Sequence, residues 1–148
     1  MNLWRISNRA DLSGAGGLRA SARWHTVGQP VVYLADSAAS ALLEVFVHLE
    51  MDDLPSTYQL LGVQVADGVG FEQPSSFRGG WARNEEWARE TGDTWLREGK
   101  TALFRVPSTI VPETWNWLLN PRHEDARMIR IVNIQKQSFD ARLLSMRG

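Results

Sequence analysis

From Ala38 to Leu49 the chain is apolar almost all the way round a helix, with one carboxylate, Glu44, set in its middle. Ala38, Ala41, Leu42, Val45 and Leu49 recur at spacings of three and four and share a face, while Leu43, Phe46 and Val47 cover much of the rest. Asp36-Ser37 precedes the helix as its cap. A helix of this kind is expected to be buried on more than one side, so a sheet or a second layer must cover it. An ionised carboxylate is costly to bury alone, and the fold must pair Glu44, protonate it or open it to a cleft. The plainer alternative sets Glu44 in a local gap of the apolar surface, beside His48 one turn on.

The surrounding segments supply the sheet. Pro30 starts Val31-Val32-Tyr33-Leu34-Ala35, a short apolar run with β-branched members that reads as a buried strand. Thr57 to Val65 alternates as a strand, Ala102 to Val106 forms another, Ile110-Val111 a short one, and Met128 to Ile134 a last. Ser13 to Gly17 is glycine-rich and reads as a loop that does not feed a helix. Asp52 to Pro55 ends the apolar helix, and Gly68 to Gly80 is a long loop. Ala82 to Gly99 fits one helix broken at Thr91-Gly92 and restarted at Asp93, and Trp115 to Leu119 fits a turn of helix. This order is α+β rather than a regular βαβ repeat, and 148 residues make one domain, 1–148, with one core.

Composition excludes several functions. Lys+Arg 16 against Asp+Glu 17 leaves a net charge of −1, without the basic surplus of a domain that lives on phosphate backbones. The absence of cysteine removes disulfides, thiolate metal sites and cysteine nucleophiles, and three scattered histidines argue against a metal site. No run approaches the roughly 18 apolar residues of a membrane helix. Arg5 interrupts the stretch where a secretory leader would be apolar, so a cytoplasmic protein is expected. Seven tryptophans against two tyrosines remain as the compositional oddity.

Two further segments could carry chemistry. Arg23-Trp24 follows the glycine-rich stretch, and an arginine there can grip a phosphate or carboxylate with two parallel hydrogen bonds. A surface arginine beside a core tryptophan is the structural alternative. Ser108 lies between strand-like pieces, and Asn116 and Asn120 follow within one short segment; asparagine amides fix ligands or irregular backbone equally well. No phosphate-binding glycine loop and no G-x-S-x-G elbow is present, so a serine hydrolase is disfavoured.

Taken in order, these segments resemble one family over essentially the whole chain. Arg23-Trp24 with Pro30-Val-Val-Tyr33, Ala41-Leu-Leu-Glu44 with Val47-His48, and Ser108-x-Ile-Val-Pro112 with Asn116-x-Leu-Leu-Asn120-Pro121-x-His123 are similar to the RES domain. That family is named for an arginine, a glutamate and a serine, matched here by Arg23, Glu44 and Ser108. Trp4-Arg5-Ile6-Ser7 and Phe139-Asp140-x-Arg142-Leu143 resemble its usual start and end. The resemblance implies an ADP-ribosyltransferase-like unit of two packed, mostly antiparallel sheets with flanking helices around a cleft for NAD+. It implies the toxin of a bacterial toxin–antitoxin pair, which consumes NAD+ without a metal and arrests growth. Its implied partner is an antitoxin joining an Xre-like DNA-binding region to a toxin-binding region, in a hetero-oligomer that leaves DNA to the partner and blocks access to the cleft. A homodimer is a further expectation.

Breaking the nicotinamide–ribose bond builds positive charge on the sugar, as in glycoside hydrolysis. Under the resemblance Glu44 stabilises that charge and holds the ribose hydroxyls. Arg23 holds the pyrophosphate or the adjacent ribose, Tyr33 stacks on nicotinamide, and Ser108 either touches the ribose or positions Glu44. Trp24 adjoins the cleft, and Arg5 and Asn116 are secondary candidates for phosphate and ribose. Two departures stand out: Ala22 replaces the glycine common before Arg-Trp, and His25 replaces a small polar residue after it. His25 is a candidate cleft residue or a loop histidine with no ligand role. The function expected is NAD+ degradation by water or phosphate; the alternatives are mono-ADP-ribosylation of a protein and a non-catalytic partner-binding module.

Overall fold

The computed structural model describes residues 1–48 and 55–147. Leu49 and most of the Asp52 to Pro55 segment expected to end the apolar helix lie outside the described residues. Among the described residues seven strands form one sheet: β1 (Asn2–Ile6), β2 (Val32–Ala35), β3 (Thr57–Val65), β4 (Phe71–Glu72), β5 (Leu103–Pro107), β6 (Trp115–Leu119) and β7 (Ile129–Ser138). Helices α1 (Ala15–Arg19), α2 (Ala38–His48), α3 (Glu85–Glu98) and α4 (Ala141–Arg147) complete the fold. The spatial order is β4-β5-β6-β2-β1-β3-β7, antiparallel except between β4 and β5.

The α+β class is as expected, but the strands are continuous in one sheet rather than divided into two. The division survives as a seam. β1 and β2 are registered through one pair, Trp4 opposite Ala35, whereas β1 runs against β3 from Asn2 to Ile6 and β2 against β6 from Val32 to Ala35. The sheet is thus two well-laddered halves joined at a narrow junction, and α2 packs against both strands of that junction.

Each face of the sheet carries its own core. Leu3, Val32, Leu34, Val63, Leu103 and Leu119 belong to one cluster, and Trp24, Ala88, Trp95, Phe104, Val106 and Leu118 to the other. The second cluster is closed by α3. Asn84 caps that helix by accepting from the Trp87 N–H at 3.0 Å, Glu85 and Glu86 occupy its first turn, and Gly99 ends it in the left-handed conformation. Trp95 stacks on Phe104 with ring centroids 5.2 Å apart.

Several elements differ from the sequence reading. Trp115–Leu119 is an interior strand, not a turn of helix. Trp117 and Leu119 enter one core while Leu118 enters the other, and a strand buried on both faces lacks the polar alternation that would mark it. Ile110-Val111 is not a strand, because both backbone N–H groups turn inward to the Ser108 hydroxyl. α3 runs unbroken through Thr91-Gly92, where the glycine admits the Trp24 carbonyl. Residues 15–19 form a helical turn rather than a loop, and glycine stands at 17 because a side chain there would strike Val31 and the Gln29 carbonyl. The long loop holds β4, paired with β5. In α2 only Ala41 is buried; Leu43 and Val47 are exposed, so the helix is covered on one side only. Its cap is Ser37, whose hydroxyl accepts from the Ser40 N–H at 3.0 Å.

Candidate active site

Where the two halves of the sheet part, a cleft of about 650 Å³ opens. Its walls come from β1 (Trp4, Arg5, Ile6), β2 (Tyr33 to Ala35), the 21–24 segment, the cleft-facing side of α2, and Glu85 and Arg89 of α3. The exit of β5 adds Pro107 and Thr109, and β6 adds Asn116.

Glu44 reaches this cleft and is paired, which settles how an apolar helix tolerates it. Its Oε1 accepts from Asn116 Nδ2 at 2.9 Å and from Ser108 Oγ at 3.1 Å. Both donors are fixed from behind. Asn116 is held in register between Ala35 and Val106, and Ser108 bonds through its N–H to the Thr114 carbonyl while its Oγ accepts from Ile110 and Val111. One carboxylate oxygen is thereby anchored, and Oε2 has no hydrogen bond among the described residues. The pairing with His48 imagined as an alternative is absent, although His48 lines the same cleft.

Buried polar atoms without partners concentrate here. Of four such side-chain atoms among the described residues, Arg5 Nε, Arg23 Nε and Asn116 Oδ1 belong to cleft residues. The fourth, Arg105 Nε, lies outside it, its guanidinium 3.7 Å from the Trp115 ring centroid. A native fold rarely leaves such groups unpaired, and their clustering puts two arginine N–H groups that lack acceptors and an amide oxygen that lacks a donor among the residues of one cleft. Burial lowers the Arg5 pKa, an effect partly opposed by nearby Asp11. Arg23 Nη2 donates to the Trp81 and Ala82 carbonyls, which aims the rest of its guanidinium. Arg89 is braced by the Ala22 carbonyl at 3.1 Å.

Tyr33 is held through its hydroxyl. The oxygen accepts from the Trp24 N–H at 3.2 Å and bonds His25 Nδ1 at 2.8 Å. Nε2 of His25 faces the Ala20 carbonyl at 2.9 Å, and a carbonyl only accepts, so the proton sits on Nε2 and Tyr33 donates to Nδ1. Burial raises the Tyr33 pKa well above its ordinary value. Both hydroxyl positions are spoken for, so Tyr33 lines the cleft with its hydroxyl already engaged.

The structure therefore brings Arg5, Arg23, Trp24, Tyr33, Glu44 and Asn116 to one cleft. Ser108, only 9% exposed, does not line it and works on Glu44. His25, 2% exposed, belongs to the wall behind Tyr33. The Trp24 indole is mostly core, edge-on to Trp87 at 5.7 Å. Of the tryptophans flanking Asn116, Trp117 is core and Trp115 stacks on Arg105; neither lines the cleft. Asn120 fixes the following turn by accepting from the Arg122 N–H. Sequence reasoning missed Thr109 and Arg89. Arg89 looks like a solvent-facing partner of Glu85 one turn back, and nothing local marks it otherwise. Trp4 was legible only as the neighbour of Arg5. Among the described residues, no three His, Cys, Asp or Glu side chains converge as metal ligands, and no helix is long and apolar enough to cross a membrane.

Comparison with known proteins identifies the family and the fold. The RES domain model matches residues 2–142. Toxin Res of Pseudomonas putida is 46% identical over 145 residues, covering 97% of this chain and 99% of that one. Prs ADP-ribosylating toxin of a Sphingobium species is 38% identical over 156 residues, covering 97% and 96%. In fold the chain is similar to one from the Mycobacterium tuberculosis MbcT–MbcA toxin–antitoxin complex, with a TM-score of 0.72 over 98% of this chain and 87% of that chain at 17% identity.

Proposed function

This chain belongs to the RES domain family, and on that premise we propose that it is the toxin of a toxin–antitoxin pair, an enzyme that cleaves the nicotinamide–ribose bond of NAD+. The observation that carries the reading is the Glu44 carboxylate, anchored through one oxygen by Asn116 and Ser108 and bare at the other, in a cleft with unpartnered arginine N–H groups. That combination suits a ligand with negative charge at one end and a developing positive charge at the other.

In this reading Arg23 and Arg5 take the pyrophosphate oxygens, and Asn116 Oδ1 accepts from a ribose hydroxyl. The Tyr33 ring sets the plane of the nicotinamide. As the carbon–nitrogen bond breaks, nicotinamide leaves with the bonding pair and the ribose carbon becomes an oxocarbenium centre. Glu44 stabilises that charge without reorganising, because its two donors already hold it. Water or phosphate then adds to the ribose; with water, one proton passes to solvent. Glu44→Ala is expected to cost on the order of 10²–10³-fold in rate, the range for removing a preorganised electrostatic group.

Transfer of ADP-ribose to a protein is the second reading, favoured by the name of the Sphingobium relative. It uses the same residues and differs only in the acceptor. A module without catalysis is disfavoured, because Arg23, Tyr33, Glu44 and Ser108 are all present and Glu44 is fully positioned. The partner proposed is an antitoxin carrying an Xre-like DNA-binding region. Support comes from the fold likeness to a chain solved in a toxin–antitoxin complex and from Leu43 and Val47, exposed on the helix that lines the cleft.

The test is nicotinamide release from NAD+ by the purified chain, alone and with phosphate or cell lysate. Release lost in Glu44→Ala supports cleavage, and labelled protein bands select transfer. No release under any of these conditions, or release unaffected by the substitution, removes the proposal.

A further inference from the structure

At the edge of the sheet farthest from β4, β7 pairs only with β3, so one side of a ten-residue strand carries no backbone partner among the described residues. Edges of this length are usually covered, shortened or blunted, because a free row of N–H and C=O groups recruits another strand. The strand exposes Val132 and Ile134, at 55% and 52%. Its charges are of one sign. Between Asp125 and Asp140 there is no acidic residue, while Arg127, Arg130 and Lys136 are all present, and none of the three has an ion-pair partner among the described residues. Arg127 and Arg130 also line a concavity of about 310 Å³ with Gln64, Ala66 and Met128, where β7 begins. None of these residues lines the active-site cleft.

We propose that the outer edge of β7 docks an extended, acidic segment of a partner polypeptide. The segment adds as a strand, with apolar side chains against Val132 and Ile134 and carboxylates at the Arg127–Arg130 concavity and Lys136. A second copy of the chain does not fit, because its own β7 offers only cations. Nucleic acid would use the cations but neither the strand edge nor the exposed aliphatic side chains.

The probe is a fluorescein-labelled ten-residue peptide of alternating valine and glutamate, titrated into the full-length chain by fluorescence anisotropy. The same peptide with lysine for glutamate, the same peptide with proline at alternate positions, and a thymidine decamer serve as comparisons. The acidic peptide is expected to bind at least tenfold more tightly than the lysine and proline peptides, to lose at least tenfold in the R127E/R130E double variant, and to slow hydrogen exchange across residues 129–138. Both arginines are exposed, so the variant should keep its melting temperature; the exchange measurement on the unaltered chain tests the proposal if it does not. Failure of the acidic peptide to bind at millimolar concentration, binding equal to that of the lysine or proline peptide, or no protection of β7 overturns it. Competition by the decamer through the same arginines reassigns the surface to nucleic acid. Because the cleft shares none of these residues, either result leaves the proposed reaction to its own assay.

Discussion

Replacing Gly92 by alanine separates helix propensity from packing with a single methyl group. In an ordinary helix interior this change stabilises by about 1 kcal/mol. Here the added Cβ lies 2.8 Å from the Trp24 carbonyl carbon and nearer still to its oxygen, against 3.4–4 Å for ordinary contact. Both colliding partners are backbone, so no rotamer change relieves them; α3 must move off the 21–24 segment. That separation loosens Trp24, Ala88 and Trp95, which pack in one cluster. Overpacking of this kind costs about 3 kcal/mol or more when the neighbours are rigid. After the propensity gain the net loss is about 2 kcal/mol or more, which at roughly 2–4 °C per kcal/mol lowers Tm by about 4–8 °C. The assay is thermal unfolding beside Gly16→Ala, a helical glycine with nothing within 4 Å of an added Cβ, which should be neutral or stabilising. A Gly92→Ala protein that melts at or above the parent refutes the close approach of α3 to Trp24. Since the Trp24 N–H donates to the Tyr33 hydroxyl, the variant should also lose activity below its melting range.

Two further outcomes follow from hydrogen bonds near the cleft. Ser108→Ala removes a donor to Glu44 and leaves the Ile110 and Val111 N–H groups without their acceptor. It should cost about 1–3 kcal/mol in denaturant unfolding and lower kcat for nicotinamide release roughly tenfold, a loss of about 1.4 kcal/mol of transition-state stabilisation, with little change in KM; an unchanged kcat would show that Glu44 does not depend on it. Burial raises the Tyr33 pKa, so the folded protein keeps a proton that the unfolded chain releases above about pH 10. Stability from this group is therefore intact below that pH and falls as pH rises above it, by at most about 1.4 kcal/mol per unit. The slope should flatten in Tyr33→Phe, and a variant with the parent's alkaline profile would contradict the burial.

What the sequence disclosed was mostly what recurs at short range. Residues 57–65 were legible as a strand because alternation is local, and α2 because its apolar spacing and serine cap are adjacent in the chain. Glu44 stood out by chemical contrast, which is why the candidate site was the more legible part. β6 was lost because Trp115, Trp117, Leu118 and Leu119 satisfy two cores at once, and that pattern has no period of its own. Gly92 was misread for a related reason. It looks like a helix break until the Trp24 carbonyl, 68 positions earlier, is known to occupy the space. The bond from Asn116 to Glu44 spans 72 positions, and that from Ser108 spans 64. Only a family resemblance could associate residues so far apart, and even it left open whether Ser108 met the substrate or the carboxylate.

The single registered pair between Trp4 and Ala35 bears on how the molecule moves. A junction one pair wide is held by fewer backbone bonds than the five-pair β1–β3 ladder and the four-pair β2–β6 ladder beside it, so it is the line along which the halves of the sheet separate at least cost in ladder bonds. Arg5 rides on one half and Asn116 on the other. In the proposed reading, a substrate held by both is a crossbar between the two halves, fastening the sheet where its own ladder is thinnest.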